Sequence, residues 1–156
     1  MSIRNKYEAE LKQVFDKLIE MCHATERAIE LSVSALKNRD VALAKNVIAD
    51  DAKIDAMERD IEQDCLNILL LEHPFAGDFR EVSAALKMIT DLERIADQAA
   101  DISEISLQFG AEDFIKEPKH IEEMSRLVIA MVLDAVTSFY QTQNANPLRG
   151  LYPLSV

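Results

Sequence analysis

The chain has 156 residues, enough for one domain with its own core and too few for two large ones. Hydrophobic residues make up 49% of it, Gly only 3 and Pro only 4, and alternating strand patterns are absent, so the composition predicts an all-α protein. The 28 acidic and 17 basic residues give a net charge of −11, which argues against nucleic acid as a partner and attracts cations and basic protein surfaces.

Two long helices are predicted first, over residues 4–37 and 41–72. The break at 38-NRD-40 separates them, and Asp40 can cap the second helix. Apolar residues recur at steps of three and four on one face of each helix. These residues are Leu11, Val14, Leu18, Cys22, Thr25, Ile29, Val33 and Leu36 on the first helix and Val47, Ile54, Ile61, Cys65, Ile68 and Leu69 on the second. Because both cysteines lie on these faces, we expect buried, reduced thiols.

A third helix is predicted to follow the turn 73-HPFAG-77 and to reach about residue 107. Asp78 and Glu81 have the spacing of a capping box at its start. Three helices of about 30 residues, joined by short loops, predict an elongated antiparallel three-helix bundle. The inward residues of the third helix are Val82, Leu86, Ile89, Ala96, Ala99 and Ile102.

Beyond the bundle, assigned to residues 1–107, we predict a linker over 108–119, a fourth amphipathic helix over 120–143 and an irregular tail over 144–156. Two prolines and a glycine exclude a regular helix from the tail. The apolar residues of the fourth helix are Met124, Leu127, Val128, Met131, Val132, Ala135, Val136 and Phe139.

The fourth helix resembles the first in its pattern. EMCHATERAIELSVSAL, from residue 20, and EMSRLVIAMVLDAVTSF, from residue 123, share apolar spacing and flanking charge at an offset of 103. We therefore interpret the fourth helix as the first helix of a second, incomplete repeat. A large exposed apolar patch is unfavourable, so we expect this helix to pack on the bundle or to pair with another copy of the chain.

Acidic residues form a stripe on each of the second and third helices. The stripes are Asp51, Asp55, Glu58 and Glu62, and Glu93, Asp97 and Asp101. In an antiparallel hairpin with its turn near residue 75, residues whose numbers sum to about 151 lie side by side. By this rule Asp51 lies beside Asp101, Asp55 beside Asp97, and Glu58 beside Glu93. The two stripes are therefore predicted to meet at the same heights.

Carboxylates on facing helices are how helical bundles build metal sites. Their oxygens suit divalent or transition metal ions, and iron, manganese, zinc and magnesium all remain open. We predict a metal site formed by Asp51, Asp55, Glu58, Glu93, Asp97 and Asp101.

Two other interpretations of the acidic stripes remain. One is a solvated acidic face with Lys53, Arg59 and Arg94 as counter-charges. The other is a metal-storage or redox bundle, although a di-iron site usually takes two Glu-x-x-His pairs and only Glu20 to His23 has this spacing. Since neither a nucleophile motif nor a glycine-rich phosphate loop occurs, we predict no enzyme.

No segment is predicted to span a membrane. The longest apolar run, 127-LVIAMVL-133, is far shorter than the roughly 20 residues that a bilayer requires. The N-terminal MSIRNKYEAELKQVF carries charge where a signal peptide needs apolar residues, so we expect a cytoplasmic protein.

The runs 50-DDAKIDAMERDIEQD-64 and 73-HPFAGDFREVSAALKMITDLERIADQAADI-102 resemble the PhoU family. That family has an acidic-x-x-x-Asp motif, a turn with Pro and then Asp-x-Arg, and a helix close to Asp-Leu-Glu-Arg-Ile-Gly-Asp-His. The matching residues are Asp51-x-x-x-Asp55, Glu93-x-x-x-Asp97 and Pro74 followed by Asp78-Phe79-Arg80. Ala96 stands for the usual Gly and Gln98 for the usual His.

The resemblance implies a regulatory adaptor made of two tandem three-helix bundles, often dimeric, with metal clusters on the acidic motifs of some members. It implies a homodimer or higher oligomer that restrains phosphate-starvation signalling by linking a phosphate ABC transporter to a membrane sensor histidine kinase. Such a protein acts in the cytoplasm, where protein partners can hold it at the inner face of the membrane. A second acidic helix is missing here, so we expect a truncated member.

Overall fold

The computed structural model describes residues 3–71, 76–109 and 119–144. These residues form four α-helices and no strand: α1 (Ile3–Asn38), α2 (Val41–Leu71), α3 (Ala76–Phe109) and α4 (Ile121–Asn144). The first three helices pack on one another, and α4 packs on α1, which confirms the predicted all-α bundle with a fourth helix. None of these four helices is long and apolar enough to cross a membrane.

The helix ends differ from the predicted ones by a few residues. Helix α3 begins at Ala76, before the predicted cap at Asp78, whose side chain lies outside the described part. The same helix includes Gln108 and Phe109, the first residues of the predicted linker. Residues 72–75, 110–118 and 145–156 are outside the described residues, so the division of the chain into bundle, linker, helix and tail stays a prediction.

A tight connection joins α1 to α2. Arg39 adopts a left-handed conformation with φ of 53°, and the backbone N–H of Asp40 donates to the carbonyl oxygen of Ala35 at 2.9 Å. Oδ1 of Asp40 accepts a hydrogen bond from the N–H of Leu43 at 2.9 Å, which is the predicted cap. These hydrogen bonds satisfy backbone groups at the end of α1 and at the start of α2 within a few residues. The chain reverses direction there, and α2 lies antiparallel to α1.

The core lies where α1, α2 and α3 meet. All eight residues assigned to the interior of α1 are buried, and on α2 and α3 only Leu69, Leu86 and Ile102 are half-buried rather than buried. Cys22 and Cys65 are buried and unpaired, as predicted. Desolvation raises the pKa of Cys65 to about 12 and also raises that of Cys22, so both thiols stay protonated at neutral pH.

Polar contacts fix the heights of the helices relative to one another. The hydroxyl of Thr25 on α1 donates to the carbonyl oxygen of Met21 at 3.0 Å and lies 3.5 Å from that of Leu92 on α3. Nζ of Lys17 on α1 contacts both Asp60 and Asp64 on α2 at 2.6 Å. These contacts add positional specificity to apolar packing, which alone tolerates sliding along the helix axis.

Helix α4 is apolar on two opposite sides, and only one of them packs on α1. Phe139 meets Phe15 edge to face, with ring centroids 5.5 Å apart, while Glu122 pairs with Lys37 at 2.6 Å near the other end of α1. Helix α4 therefore runs antiparallel to α1. Its inward residues are Ile129, Val132, Leu133, Val136, Phe139 and Tyr140. Packing on the bundle is thus confirmed for one side, while Met124, Leu127, Val128 and Met131 on the other remain 41–70% exposed.

Candidate functional site

The candidate site is the acidic face, which we define as the six carboxylates predicted from the sequence. They are Asp51, Asp55 and Glu58 on α2 and Glu93, Asp97 and Asp101 on α3. Both helices are continuous through these positions, so steps of three and four residues keep the acids in one line on each helix. Buried neighbours, Ile54 on α2 and Ala96 and Ala100 on α3, turn these lines toward the surface of the bundle.

The hairpin brings the two lines of the acidic face to the same heights, as the turn geometry predicted. Asp51 interacts electrostatically with Asp97 and Asp101 on the opposite helix. Glu93 interacts in the same way with Glu58, Asp55 and Asp51 across the hairpin. All six predicted residues therefore lie in one electrostatic neighbourhood.

Burial and repulsion by neighbouring carboxylates raise the pKa of two residues of the acidic face, Asp51 and Glu93. Partial burial raises the pKa of Asp51, and the nearby carboxylates of Asp55, Asp97 and Asp101 raise it further. Partial burial is also the largest cause of the raised pKa of Glu93. The carboxylate of Glu58 and those of Asp55, Asp97 and Asp51 raise this pKa further. A cation bound beside Asp51 and Glu93 would offset the repulsion between these carboxylates and their neighbours.

Two of the three expected counter-charges, Lys53 and Arg94, contact other acids. Nζ of Lys53 lies 2.6 Å from Asp50, and the guanidinium of Arg94 lies 3.9 Å from Asp91. Neither Asp50 nor Asp91 belongs to the acidic face. Its negative charge is therefore not balanced by these two bases.

One contact at the acidic face was not predicted from the sequence. Nε2 of Gln98 donates a hydrogen bond to Oδ2 of Asp101 at 3.1 Å. The signal that could have revealed it is the spacing of three residues, which places an amide and a carboxylate side by side on a helix. Gln98 stands where the resemblance expects His, and here it orients a carboxylate of the candidate site.

The donor set fits a hard or borderline cation in its chemistry, because it consists of carboxylates that repel one another. As the side chains stand, no three Asp, Glu, His or Cys residues in the described segments are arranged to hold one metal ion. Direct coordination would require new rotamers, whereas an ion that keeps part of its water shell could bind through fewer carboxylates. The metal-site assignment of the six residues stays a prediction.

The lone Glu-x-x-His spacing gains no support as a metal-binding pair. Nδ1 of His23 lies 3.1 Å from Oε2 of Glu26, on the exposed side of α1. Its contact is therefore with Glu26 and not with Glu20, and both residues lie on a different helix from the acidic face. This geometry disfavours the redox interpretation.

We expect Asp51→Asn/Glu93→Gln to be more stable than wild type at pH 7, by a few tenths of a kcal/mol for each like-charge contact removed. The folded-state pKa of both acids lies above the ordinary values of 3.8 and 4.5. The contribution of these two acids to folding stability is thus complete when the pH is below their ordinary pKa values. It is lost as the pH rises through their raised folded-state pKa values. The gain should therefore be absent below pH 3.8, as measured by urea unfolding there and at pH 7.

A matched control for this pair is Glu30→Gln/Asp134→Asn, which removes two exposed acids on α1 and α4, away from the acidic face. We expect no comparable gain at pH 7 for the control. An equal gain in both double variants would attribute the effect to net charge rather than to the acidic face.

Known proteins share both the sequence pattern and the fold. The family model "PhoU domain" matches residues 18–106. The "Phosphate-specific transport system accessory protein PhoU homolog" of Aquifex aeolicus is 37% identical over 132 residues, which cover 85% of this chain and 60% of the relative. The crystal structure of PhoU from Pseudomonas aeruginosa has a TM-score of 0.82 at 30% identity and covers 86% of this chain and 65% of that one.

A second solved structure supports the fold alone. It is the phosphate transport system regulatory protein PhoU from Streptococcus pneumoniae, with a TM-score of 0.79 at 24% identity, covering 86% of this chain and 63% of that one. The chain thus spans less than two thirds of the length of these relatives. The family match at 18–106 includes all six residues of the acidic face.

Proposed function

Because this chain belongs to the PhoU family, we propose that it is a regulatory adaptor of phosphate uptake that restrains phosphate-starvation signalling. The observation that carries the proposal is the family match, since relatives are named accessory or regulatory proteins of phosphate transport systems. The proposed partners are a phosphate ABC transporter and a sensor histidine kinase. The proposed action is protein binding and not catalysis, in the cytoplasm or, through these partners, at the inner face of the membrane.

The charge of the chain suits such a role. A net charge of −11 favours basic protein surfaces and speeds encounters with them. The acidic face is the part of this charge that the structure concentrates on one side of the bundle. We propose that it contributes to partner binding, directly or through a bound cation.

We further propose that the acidic face binds a divalent or transition metal ion, with iron, manganese, zinc and magnesium as candidates. The neighbouring carboxylates that, after burial, raise the pKa of Asp51 and of Glu93 support this, because they lie close enough to act on one another. A metal-storage or redox bundle is the second candidate function. The acidic face is the only feature that supports this second candidate. His23 lies on a different helix and adds no paired ligand to the acidic face.

Self-association is also part of the proposal. The exposed apolar side of α4 supports a homodimer or higher oligomer, since monomeric proteins rarely expose such a patch.

The regulatory proposal is tested in a bacterium that lacks its own PhoU and carries a phosphate-starvation reporter. We expect the chain to lower reporter output several-fold in phosphate-rich medium, and Asp97→Lys/Asp101→Lys to lose most of this effect. Glu30→Gln/Asp134→Asn is the control that should keep it. Full reporter output in the presence of folded wild-type chain would refute the regulatory role.

A further inference from the structure

An exposed apolar surface lies at the end of the α2–α3 hairpin. We define this hairpin patch as Leu66 and Leu70 on α2 and Phe79 on α3, whose side chains are 41%, 71% and 53% exposed. Leu66 and Leu70 are one helical turn apart and therefore lie on one side of α2. Together the three side chains present on the order of 300 Å² of apolar surface, a size at which exposed patches often mark interaction sites.

The hairpin patch continues the two lines of the acidic face. On α2, Leu66 follows Asp55 by about three full turns, and on α3, Phe79 precedes Asp97 by about five. Each apolar residue therefore lies on the same side of its helix as an aspartate of the acidic face. Glu62 is exposed and lies one turn before Leu66, so it connects the two regions on α2. One surface of the hairpin is thus acidic along one part and apolar at its end.

The hairpin patch is turned away from the fourth helix. Ile95 of α3 packs against a cluster that includes Ile29 of α1 and Ile129 of α4. At roughly 100° per residue, Phe79 lies about 160° around α3 from Ile95. All three residues of the hairpin patch also fall within the family match at 18–106. Their exposure is thus a property of the α2–α3 hairpin and not of the packing of α4.

Charge is distributed unevenly along this surface. The acidic face occupies one part, while Arg80 lies exposed next to Phe79 at the hairpin end. Basic groups of a partner are therefore attracted to the acidic part, and Arg80 disfavours them at the apolar end. From Asp51 to Leu70 the surface extends about 28 Å along α2, the length of a helix of about 19 residues.

We propose that the hairpin patch and the acidic face together bind one helical segment of a partner protein. This segment has large apolar side chains toward one end, which contact the hairpin patch, and lysines or arginines toward the other, which contact the acidic face. A helix suits the surface because two antiparallel helices leave a groove that a third can occupy, as α1 does on the inner side. The inference rests on the proposed adaptor role and specifies the chemistry of its partner.

The first test uses a fluorescein-labelled helical peptide of about 19 residues, with leucine and phenylalanine in one half and lysine in the other. We expect fluorescence anisotropy to show that it binds the full chain, and that Leu70→Lys/Phe79→Lys weakens binding roughly tenfold. A peptide of the same composition, with its lysines spread evenly over both halves, should bind wild type several-fold more weakly. This comparison separates the proposed surface from general attraction between opposite charges.

The matched control is Ala9→Lys/Gln13→Lys, which adds the same charge to the exposed side of α1 and should bind the peptide as wild type does. Leu70→Lys alone, at the most exposed of the three positions, should lose part of the affinity. Circular dichroism checks that each variant is folded. Equal binding of the two peptides, absence of binding to wild type, or wild-type affinity in folded Leu70→Lys/Phe79→Lys would overturn the inference.

The second test places the same variants in the phosphate-starvation reporter strain. We expect Leu70→Lys/Phe79→Lys to raise reporter output several-fold above that of wild type, while Ala9→Lys/Gln13→Lys keeps it low. Low output with Leu70→Lys/Phe79→Lys would overturn the hairpin patch and leave the regulatory role standing. Full output with the wild-type chain would refute the regulatory role, and the peptide measurement would then decide the binding surface by itself.

Discussion

Replacement of Leu18 by alanine is expected to lower the free energy of unfolding by about 3 kcal/mol. Leu18 is 1% exposed and lies in the core cluster that α1, α2 and α3 share. Shortening its side chain to a methyl group loses apolar burial and leaves a cavity, because rigid helices close such a gap only in part. Urea unfolding followed by circular dichroism measures the change.

Leu70→Ala is the matched control for Leu18→Ala. Leu70 is 71% exposed near the end of α2, so its truncation should change the free energy of unfolding by less than about 0.5 kcal/mol. Similar small effects of both substitutions would contradict the packing of α1 into the core.

A bound cation is expected to stabilise the chelator-treated protein by about 2.7 kcal/mol when its concentration is a hundred times Kd. The reason is that an ion that binds only the folded acidic face shifts the equilibrium toward the folded state. Thermal unfolding with Mn²⁺, Fe²⁺, Zn²⁺ and Mg²⁺, added separately, measures the stabilisation and identifies the preferred ion.

The variant Asp55→Asn/Asp97→Asn separates a cation site from a merely repulsive surface. These residues are predicted to lie side by side across the hairpin, so the variant should lose the ion-dependent rise while Glu30→Gln/Asp134→Asn keeps it. If no ion raises the wild-type midpoint and the variant is the more stable protein, the acidic face is a solvated surface without a metal role.

Periodicity alone predicted the interior of α1, because one apolar side of a long helix is unambiguous. Thr25 illustrates this: its position in the pattern placed a polar residue in the core, where it donates to Met21. The heights of the acidic residues were predictable as well. A short turn between two regular helices fixes which residues lie opposite each other.

Periodicity could not decide which side of α4 meets the bundle. The predicted apolar set omitted Ile129 and Leu133, both of which pack toward α1. It included four residues that stay exposed: Met124, Leu127, Val128 and Met131. When a helix is apolar on two sides, a specific tertiary contact decides between them, and here Phe15 with Phe139 and Tyr140 forms it. The rotamers of the acidic face were unpredictable for a similar reason, since half-exposed carboxylates have several staggered states of similar energy.

The two buried thiols resist oxidation as long as the chain is folded. Peroxide and disulfide exchange act on thiolates that solvent can reach, whereas Cys22 and Cys65 are protonated and enclosed. Reagents can reach them only through opening of the helices. Both thiols should therefore stay reduced through changes in cellular redox balance for as long as the helices remain packed.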